Sequence, residues 1–271
     1  MTTPSPATPV TPKPAATLLL LRDGAQGLEV FMVLRHHEID FASGALVFPG
    51  GKLAPGDREP LARAYASGLE GLDEAQAALR IAALREAFEE CGLLLARERG
   101  SAELLGPERL ERLDHYRGPL DRAELGIGEM LRAENLELAC ELLVDFAHWV
   151  TPVMMPKRFD TWFFLASPPA RQLARHDGRE LVDSVWIRPA DALAQAAAGQ
   201  RTIIAPTRLN LQRLGYSTSV AEAFAAARAQ PVVRVLPELV ATAQGPRLRI
   251  PIEAGYRISE FDPGAPVSAK R

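Results

Sequence analysis

Three glutamates, Glu86, Glu89 and Glu90, fall within five residues of one another in "LREAFEECG" (Leu84 to Gly92). On a helix, side chains three and four positions apart share a face, so Glu86 projects together with Glu89 and with Glu90. Carboxylates gathered this closely repel and raise one another's pKa unless a cation lies between them. Mg²⁺ is a hard ion that takes oxygen ligands, commonly a few carboxylates together with substrate phosphates. A metal held there would screen the charge of a pyrophosphate, polarise its phosphorus and activate a water. The competing reading is a solvated charged helix face, which a run such as "EAFEE" more commonly forms. Context has to decide.

The elements that must position these residues are legible from pattern. From about Leu72 to Cys91 the chain has no Pro or Gly, and Leu79, Ala82, Ala83 and Ala87 recur at helical spacing beside Leu84 and Phe88. That predicts a helix buried along one side, with Gly92 past its end in a left-handed conformation. "ATLLLLRDGAQGLEVFMVLRHH" reads as a β-hairpin, and "GALVFPGGKL" as a short strand entering a loop punctuated by Pro49, Gly50 and Gly51. The stretch from about Glu103 to Ala147 is helical in character, with "PERLERLDHY" and "AENLELACELLVDFA" its clearest pieces. "RFDTWFFLA" reads as a buried strand, "ELVDSVWIRPADALAQAAAGQ" as a strand and then a helix from near Pro189, and Val232 to Pro251 as further β-like pieces. This order of elements is α/β or α+β, without a linker dividing it into two autonomous domains.

Composition limits the function classes. With 271 residues, 47% hydrophobic and 24% charged, the chain can bury a sizeable core. Its net charge of −3 and dispersed Lys and Arg argue against a duplex nucleic-acid binder, whereas a small anionic ligand needs only a few local cations. The longest apolar run, around Ala15 to Leu21, is too short to span a bilayer. Cys91 and Cys140 lack paired or metal-ligand spacing and read as packed thiols in a reducing compartment, by default the cytoplasm. Residues 1–14, rich in Pro and Thr, are expected to form a disordered tail, and residues 266–271 a flexible end.

"PGGKLAPGD" (Pro49 to Asp57) followed by "REAFEECGLL" (Arg85 to Leu94) resembles the signature of the Nudix hydrolases. That signature runs glycine, five residues, glutamate, seven residues, then Arg-Glu-apolar-x-Glu-Glu-x-Gly-apolar. Its second half matches at Arg85, Glu86, Ala87, Glu89, Glu90, Gly92 and Leu93. In the first half Asp57 stands where the signature has Glu, and roughly twenty extra residues separate Asp57 from Arg85 and must loop out of the motif. The resemblance implies an α/β/α sandwich with a mixed sheet over residues 15–265, carrying helical insertions near 58–78 and 100–147. It also implies dependence on Mg²⁺ or Mn²⁺, with Glu86, Glu89 and Glu90 as metal ligands and Glu89 and Glu90 catalytic. Gly50, Gly51, Arg85 and Gly92 would be structural.

Arg35, Gly44 and "FPGG" (Phe48 to Gly51) keep the register of an element found in the coenzyme A diphosphatases of this family, departing from it at His36 and Asp40. "ALRIAALREAFEECGLLL" and "WVTPVMMPKRFDTWFFLA" are similar to the eukaryotic peroxisomal branch of those enzymes, which also has a long insertion within its motif. The resemblance implies hydrolysis of coenzyme A or acyl-CoA to 3′,5′-ADP and (acyl-)4′-phosphopantetheine. The alternatives are another nucleoside diphosphate derivative, such as ADP-ribose, a dinucleotide or a nucleoside triphosphate, or a nucleotide sensor without catalysis. Arg35, Lys52, Lys157 and Arg158 are the candidate phosphate contacts, because Arg offers a forked donor and Lys a point charge. Glu180 is the candidate general base, with Asp183 behind it, and a surface acid is the competing reading. His36 and His37 read as surface or capping residues that could face the site, and Trp149, Trp162 and Phe163 read as core rather than as an adenine-stacking platform. The expected partner is a small nucleotide rather than nucleic acid or membrane, and a homodimer is compatible with the sequence.

Overall fold

The computed structural model describes residues 10–35, 45–169, 172, 181–243 and 245–262. β1 (Lys13–Gly24) and β2 (Gly27–Arg35) form the hairpin that the apolar pattern predicts, closed by Ala25 and Gln26 with Gly24 opposite Gly27. β3 (Leu46–Val47) pairs with β2, and β4 (Gly50–Lys52) pairs with β1. The glycine segment expected as a loop is thus partly a strand. After it come α1 (Pro60–Ala64), β5 (Ala66–Ser67) and α2 (Glu74–Cys91). β6 (Ala96–Glu98), α3 (Pro107–Leu113), α4 (Arg117–Asp121), α5 (Ile127–Ala133) and β7 (Leu136–Ala139) follow. Next are β8 (Val144–Val150), β9 (Phe159–Ala166), β10 (Leu181–Ile187), α6 (Pro189–Ala197), α7 (Ala205–Leu214) and α8 (Val220–Arg228). The described chain ends with β11 (Arg234–Val235), β12 (Glu238–Thr242), β13 (Gly245–Arg249) and β14 (Glu260–Phe261).

The main sheet has the strand order β10-β2-β1-β9-β8-β11, with β3 and β4 added to β2 and β1. It is mixed: β1 runs parallel to β9 and β8 to β11, while the other pairs are antiparallel. Because side chains alternate along a strand, β1 feeds two cores. Ala16, Leu18 and Leu20 pack with α2 and the helices α3 to α5, whereas Leu19 and Leu21 pack with α6, α7 and α8. A sheet covered on both faces explains the unbroken apolar run of Leu18 to Leu21, each fully buried. The result is the three-layer α/β/α sandwich expected from the sequence.

Two further elements differ from expectation. "AENLELACELLVDFA" is not a helix. Leu136 to Ala139 form β7, paired with β5 and β6 in a second small sheet, and Val144 starts β8. Its leucines fit either period, and pairing partners far away in the chain select the strand. The second difference is α2, expected to be buried on one side, which has thirteen of its eighteen residues buried. The sheet covers one flank and the segment from α3 to α5, through Leu113, Leu120, Ile127 and Met130, covers another. Its ends follow the sequence rules: Asp73 caps the first turn by accepting from Gln76 N at 2.7 Å, and Gly92 ends it at φ 67°.

β1 begins at Lys13, inside the stretch expected as tail; residues 1–9 and 266–271 lie outside the described residues. Trp149 and Phe163 are core as expected, and Trp149 Nε1 donates to Tyr256 Oη, which donates to Asn210 Oδ1. Cys91 and Cys140 are buried thiols. Among the described residues, no helix is long and apolar enough to cross a membrane. Since β1 is central to both cores, Leu20→Ala should cost about 2–5 kcal/mol of stability. Urea unfolding measures it, and a loss below about 1 kcal/mol would contradict this packing.

Candidate active site

The last turns of α2 press Glu86 and Glu90 against β4. Gly50 N donates to Glu90 Oε2 at 2.9 Å, and a Cβ added to Gly51 would fall on the carboxylate of Glu86. A Cβ on Gly50 would strike Ala16 O and Thr17 of β1. The two glycines therefore have separate reasons: Gly50 lets β4 lie close to β1, and Gly51 leaves room for Glu86. Glu89 and Glu90 are 4% and 5% exposed, which excludes the solvated-face reading.

Arg85 joins the two halves of the motif. Its Nε and Nη2 donate to Asp57 Oδ1 and Oδ2 at 2.7 and 2.9 Å, and Nη2 also donates to Lys52 O at 2.9 Å. Nη1 donates to Glu89 Oε2 at 2.8 Å and Nη2 to Glu86 Oε1 at 3.0 Å. Asp57 is 1% exposed and accepts from Ala54 N at 2.7 Å, at the start of the 3₁₀ turn Pro55–Arg58. That turn lifts Asp57 into reach of the guanidinium, so the shorter acid holds the position where the signature has Glu. The extra residues leave through α1 and β5 and return as α2, without disturbing the pair.

Burial pushes the Glu89 carboxyl up to about 8, against the pull of Arg85 and with the help of the negative charge on Glu86. Burial also weakens the Arg85 charge, but Glu86, Asp57 and Glu89 outweigh it and hold its pKa above the ordinary value. One cation cannot neutralise all these acids. Glu89 Oε1 is buried without a hydrogen bond. The oxygen-only donor set and this orphaned oxygen suit a hard divalent cation. Among the described residues, however, no three His, Cys, Asp or Glu are gathered as a ready ligand set. Glu86 and Glu89 turn to Arg85 instead, and a cation would compete with it for them.

The expected phosphate contacts are dispersed. Arg158 is 6% exposed and its guanidinium is spent on backbone carbonyls, Nε on Thr151 O at 3.0 Å and Nη1 on Val10 O at 2.7 Å. It fastens Val10, the first described residue, to the β8–β9 turn rather than facing a ligand. Lys52 pairs with Ala15 and alternates with Gly51, so it points to the sheet face opposite the glutamates. Both differ from the expectation: two backbone carbonyls hold Arg158, and strand alternation turns Lys52 away. Lys157 stands exposed on the β8–β9 turn. Arg35 ends β2, with its backbone opposite Leu181, and Asp183 lies in β10; their side chains, and all of His36, His37, Asp40, Gly44 and Glu180, lie outside the described residues.

Ala16, His148 and Arg234, which sequence reasoning passed over, join Gly51 and Trp162 beside the cluster, and Trp162, expected as core, is only partly buried. Gly51, Ala16, Trp162, His148 and Arg234 form one row across β4, β1, β9, β8 and β11, and paired residues share a face. Trp162 and His148 stack with centroids 4.6 Å apart, and His148 Nε2 meets Asp160 Oδ1 at 2.5 Å. Asp160 is held below the usual carboxylate range by that hydrogen bond. Only the hairpin register brings the pair together, and no local spacing announces it.

A glutamate-bearing helix packed on a mixed sheet, locked to a Gly-Gly strand by a buried Arg–Asp pair, defines a Nudix-type hydrolase fold. Residues 68–214, more than half of the chain, match the family model described as the NUDT19 Nudix domain, and the chain belongs to that family. The Gly50–Gly51 strand and Asp57 lie upstream of the matched stretch. The chain is 24% identical over 233 residues to acyl-coenzyme A diphosphatase NUDT19 of Xenopus laevis, covering 72% of this chain and 61% of that one. It is 27% identical over 263 residues to the Homo sapiens protein of the same name, covering 82% and 70%. The chain thus spans about three fifths of the length of the Xenopus relative. Among solved structures, a Nudix hydrolase from Alicyclobacillus acidocaldarius is 31% identical with a TM-score of 0.66, covering 79% of this chain and 96% of that one.

The raised Glu89 pKa has a consequence for stability. Between the ordinary carboxylate pKa and about 8 the folded protein holds a proton that the unfolded chain releases. Stability from this group is full below that window and is lost as pH rises through it. The melting temperature of metal-free protein should fall between about pH 6 and about pH 8.5, and fall less in Glu89→Gln. Added Mg²⁺ should raise it more at the higher pH, because the cation needs the ionised carboxylate. Identical pH profiles for wild type and Glu89→Gln would refute the assignment.

Proposed function

We propose that the chain is a divalent-cation-dependent pyrophosphohydrolase of coenzyme A or acyl-CoA. The observation that carries this reading is the packing of Glu86 and Glu90 against the Gly50–Gly51 strand, with Glu89 held by Arg85 and with Arg85 and Asp57 locking helix and strand together. The names of the relatives, acyl-coenzyme A diphosphatases, support the substrate class.

Glu86, Glu89 and Glu90 would hold Mg²⁺ or Mn²⁺. The bound ion supplies charge neutralisation at the pyrophosphate and a water activated as nucleophile. The chain's own residues do the rest. Gly50 N fixes one oxygen of Glu90 and so sets the orientation of its carboxylate. Arg85 does the same for one oxygen of Glu89 and leaves Oε1 open to a cation or a proton. Asp57 and Lys52 O keep Arg85 from swinging away, so the acids face an organised positive centre rather than one another. The assignment of Glu180 as general base belongs to this proposal, as do phosphate contacts from Arg35 and Lys157.

The test is turnover of a panel of coenzyme A, acyl-CoAs, ADP-ribose and dinucleotides with Mg²⁺ or Mn²⁺, with the products identified. Coenzyme A or an acyl-CoA should be cleaved to 3′,5′-ADP and the phosphopantetheine product. Glu89→Gln and Glu90→Gln should each lose on the order of 10²-fold or more in kcat. ADP-ribose far outpacing coenzyme A would overturn the substrate class alone. Absence of any turnover, with ligand binding retained, would leave the sensor reading in its place.

A further inference from the structure

The insertion after β6 returns a side chain to the glutamate end of α2. A helix leaves its last carbonyls without intrahelical donors, and that end carries the negative pole of the helix dipole. Here Gly92 N bonds to Phe88 O at 2.8 Å and Leu93 N to Ala87 O at 3.4 Å, so the glycine turn serves those two carbonyls. The next two belong to Glu89 and Glu90, and Arg117 takes both. Its Nε and Nη2 donate to Glu89 O at 3.1 and 2.9 Å, and Nη2 also donates to Glu90 O at 3.2 Å.

Arg117 is itself held. Its side chain is only 11% exposed, and Nη1 lies 3.5 Å from Asp114 Oδ1. The preceding residue, Tyr116, donates to Glu134 Oε1 at 2.7 Å, and Arg109 grips the other oxygen of Glu134 at 2.9 Å and Glu98 at 2.7 Å. Leu113 and Leu120, on either side, are buried in the core that α2 shares. The guanidinium therefore reaches α2 from a braced frame rather than from a loose loop.

We propose that Arg117 is a positioning residue for the candidate cation ligands. It fixes the backbone of Glu89 and Glu90, so that the final turn of α2 presents the Glu90 carboxylate to Gly50 and the Glu89 carboxylate to Arg85 at a set height. Helix ends otherwise fray, and a displacement of about 1 Å in a catalytic group can cost on the order of 10²-fold in rate. The proposal rests on the reading of Glu89 and Glu90 as cation ligands. It also gives the insertion a role, because the inserted segment closes the C-terminal end of the glutamate helix.

The test compares Arg117→Met, which keeps the apolar stem and removes the donors, with Arg117→Lys, which restores one charged donor, and with Arg112→Met on the exposed side of the same lobe. Mn²⁺ affinity is read by electron paramagnetic resonance, alongside kcat and KM for coenzyme A at saturating Mn²⁺ and the melting temperature. Arg117→Met should weaken Mn²⁺ binding by about tenfold or more and lower kcat by a similar factor, with KM changed less than about twofold. Arg117→Lys should recover part of both losses, and Arg112→Met should match wild type. Should Arg117→Met fail to fold, Arg117→Lys carries the test by intermediate losses in affinity and kcat. A lower melting temperature with Mn²⁺ affinity and kcat as in wild type would make Arg117 a purely structural clamp and overturn the proposal. Wild-type protein that binds no Mn²⁺ would overturn the cation reading and the proposal with it.

Discussion

A single guanidinium, buried between Asp57, Glu86 and Glu89, connects the strand that carries Gly50 and Gly51 to the helix that faces it. Removing two charges from water is expensive, and an ion pair inside a protein holds only when its remaining donors and acceptors are also bonded. Arg85 meets that condition through its fork on Asp57, its bond to Lys52 O and its contacts to two glutamates. Because Asp57 lies before the insertion and Arg85 after it, the pair also closes a chain detour that would otherwise separate the two halves of the motif. Losing either partner would strand a buried charge.

The same arrangement leaves an excess of negative charge. Asp57 satisfies Arg85, so Glu86, Glu89 and Glu90 crowd a region that has too little positive charge for all of them. Glu89 responds with a pKa near 8 and a buried oxygen without a hydrogen bond. A protein that invested only in stability would relieve this with an apolar residue or a second arginine. That buried excess of negative charge beside a glycine strand is the electrostatic ground for the cation site we propose.

Much of this was legible in the chain. The hairpin of β1 and β2, the helix ended by Gly92 and the strand-to-helix passage at Pro189 each follow from local period and punctuation. The resemblance to the Nudix signature joins the glutamate cluster to the "PGGK" stretch in the sequence alone. Where the reading failed, the cause was a partner distant in sequence. "AENLELACELL" satisfies helical and extended periods alike until β5 and β6 claim Leu136 and Leu138. Arg158 and Lys52 carry the right charge for a phosphate, but a strand's alternation and two backbone carbonyls direct them elsewhere.

The sequence by itself determined which chemistry was available: three carboxylates at helical spacing, an arginine beside them, and glycines where a side chain would obstruct. Those are properties of residue type and short-range geometry, which the chain carries wherever it folds. Only the tertiary structure decided which of the charges meet. Asp57 became a full partner of Arg85 because a 3₁₀ turn raised it, and Arg117 reached the carbonyls of Glu89 and Glu90 because the insertion folded back. Trp162, His148 and Arg234 joined the row of Gly51 through strand register alone. Long-range pairing of this kind depends on packing energies summed over two cores, and no local stretch of sequence contains that sum.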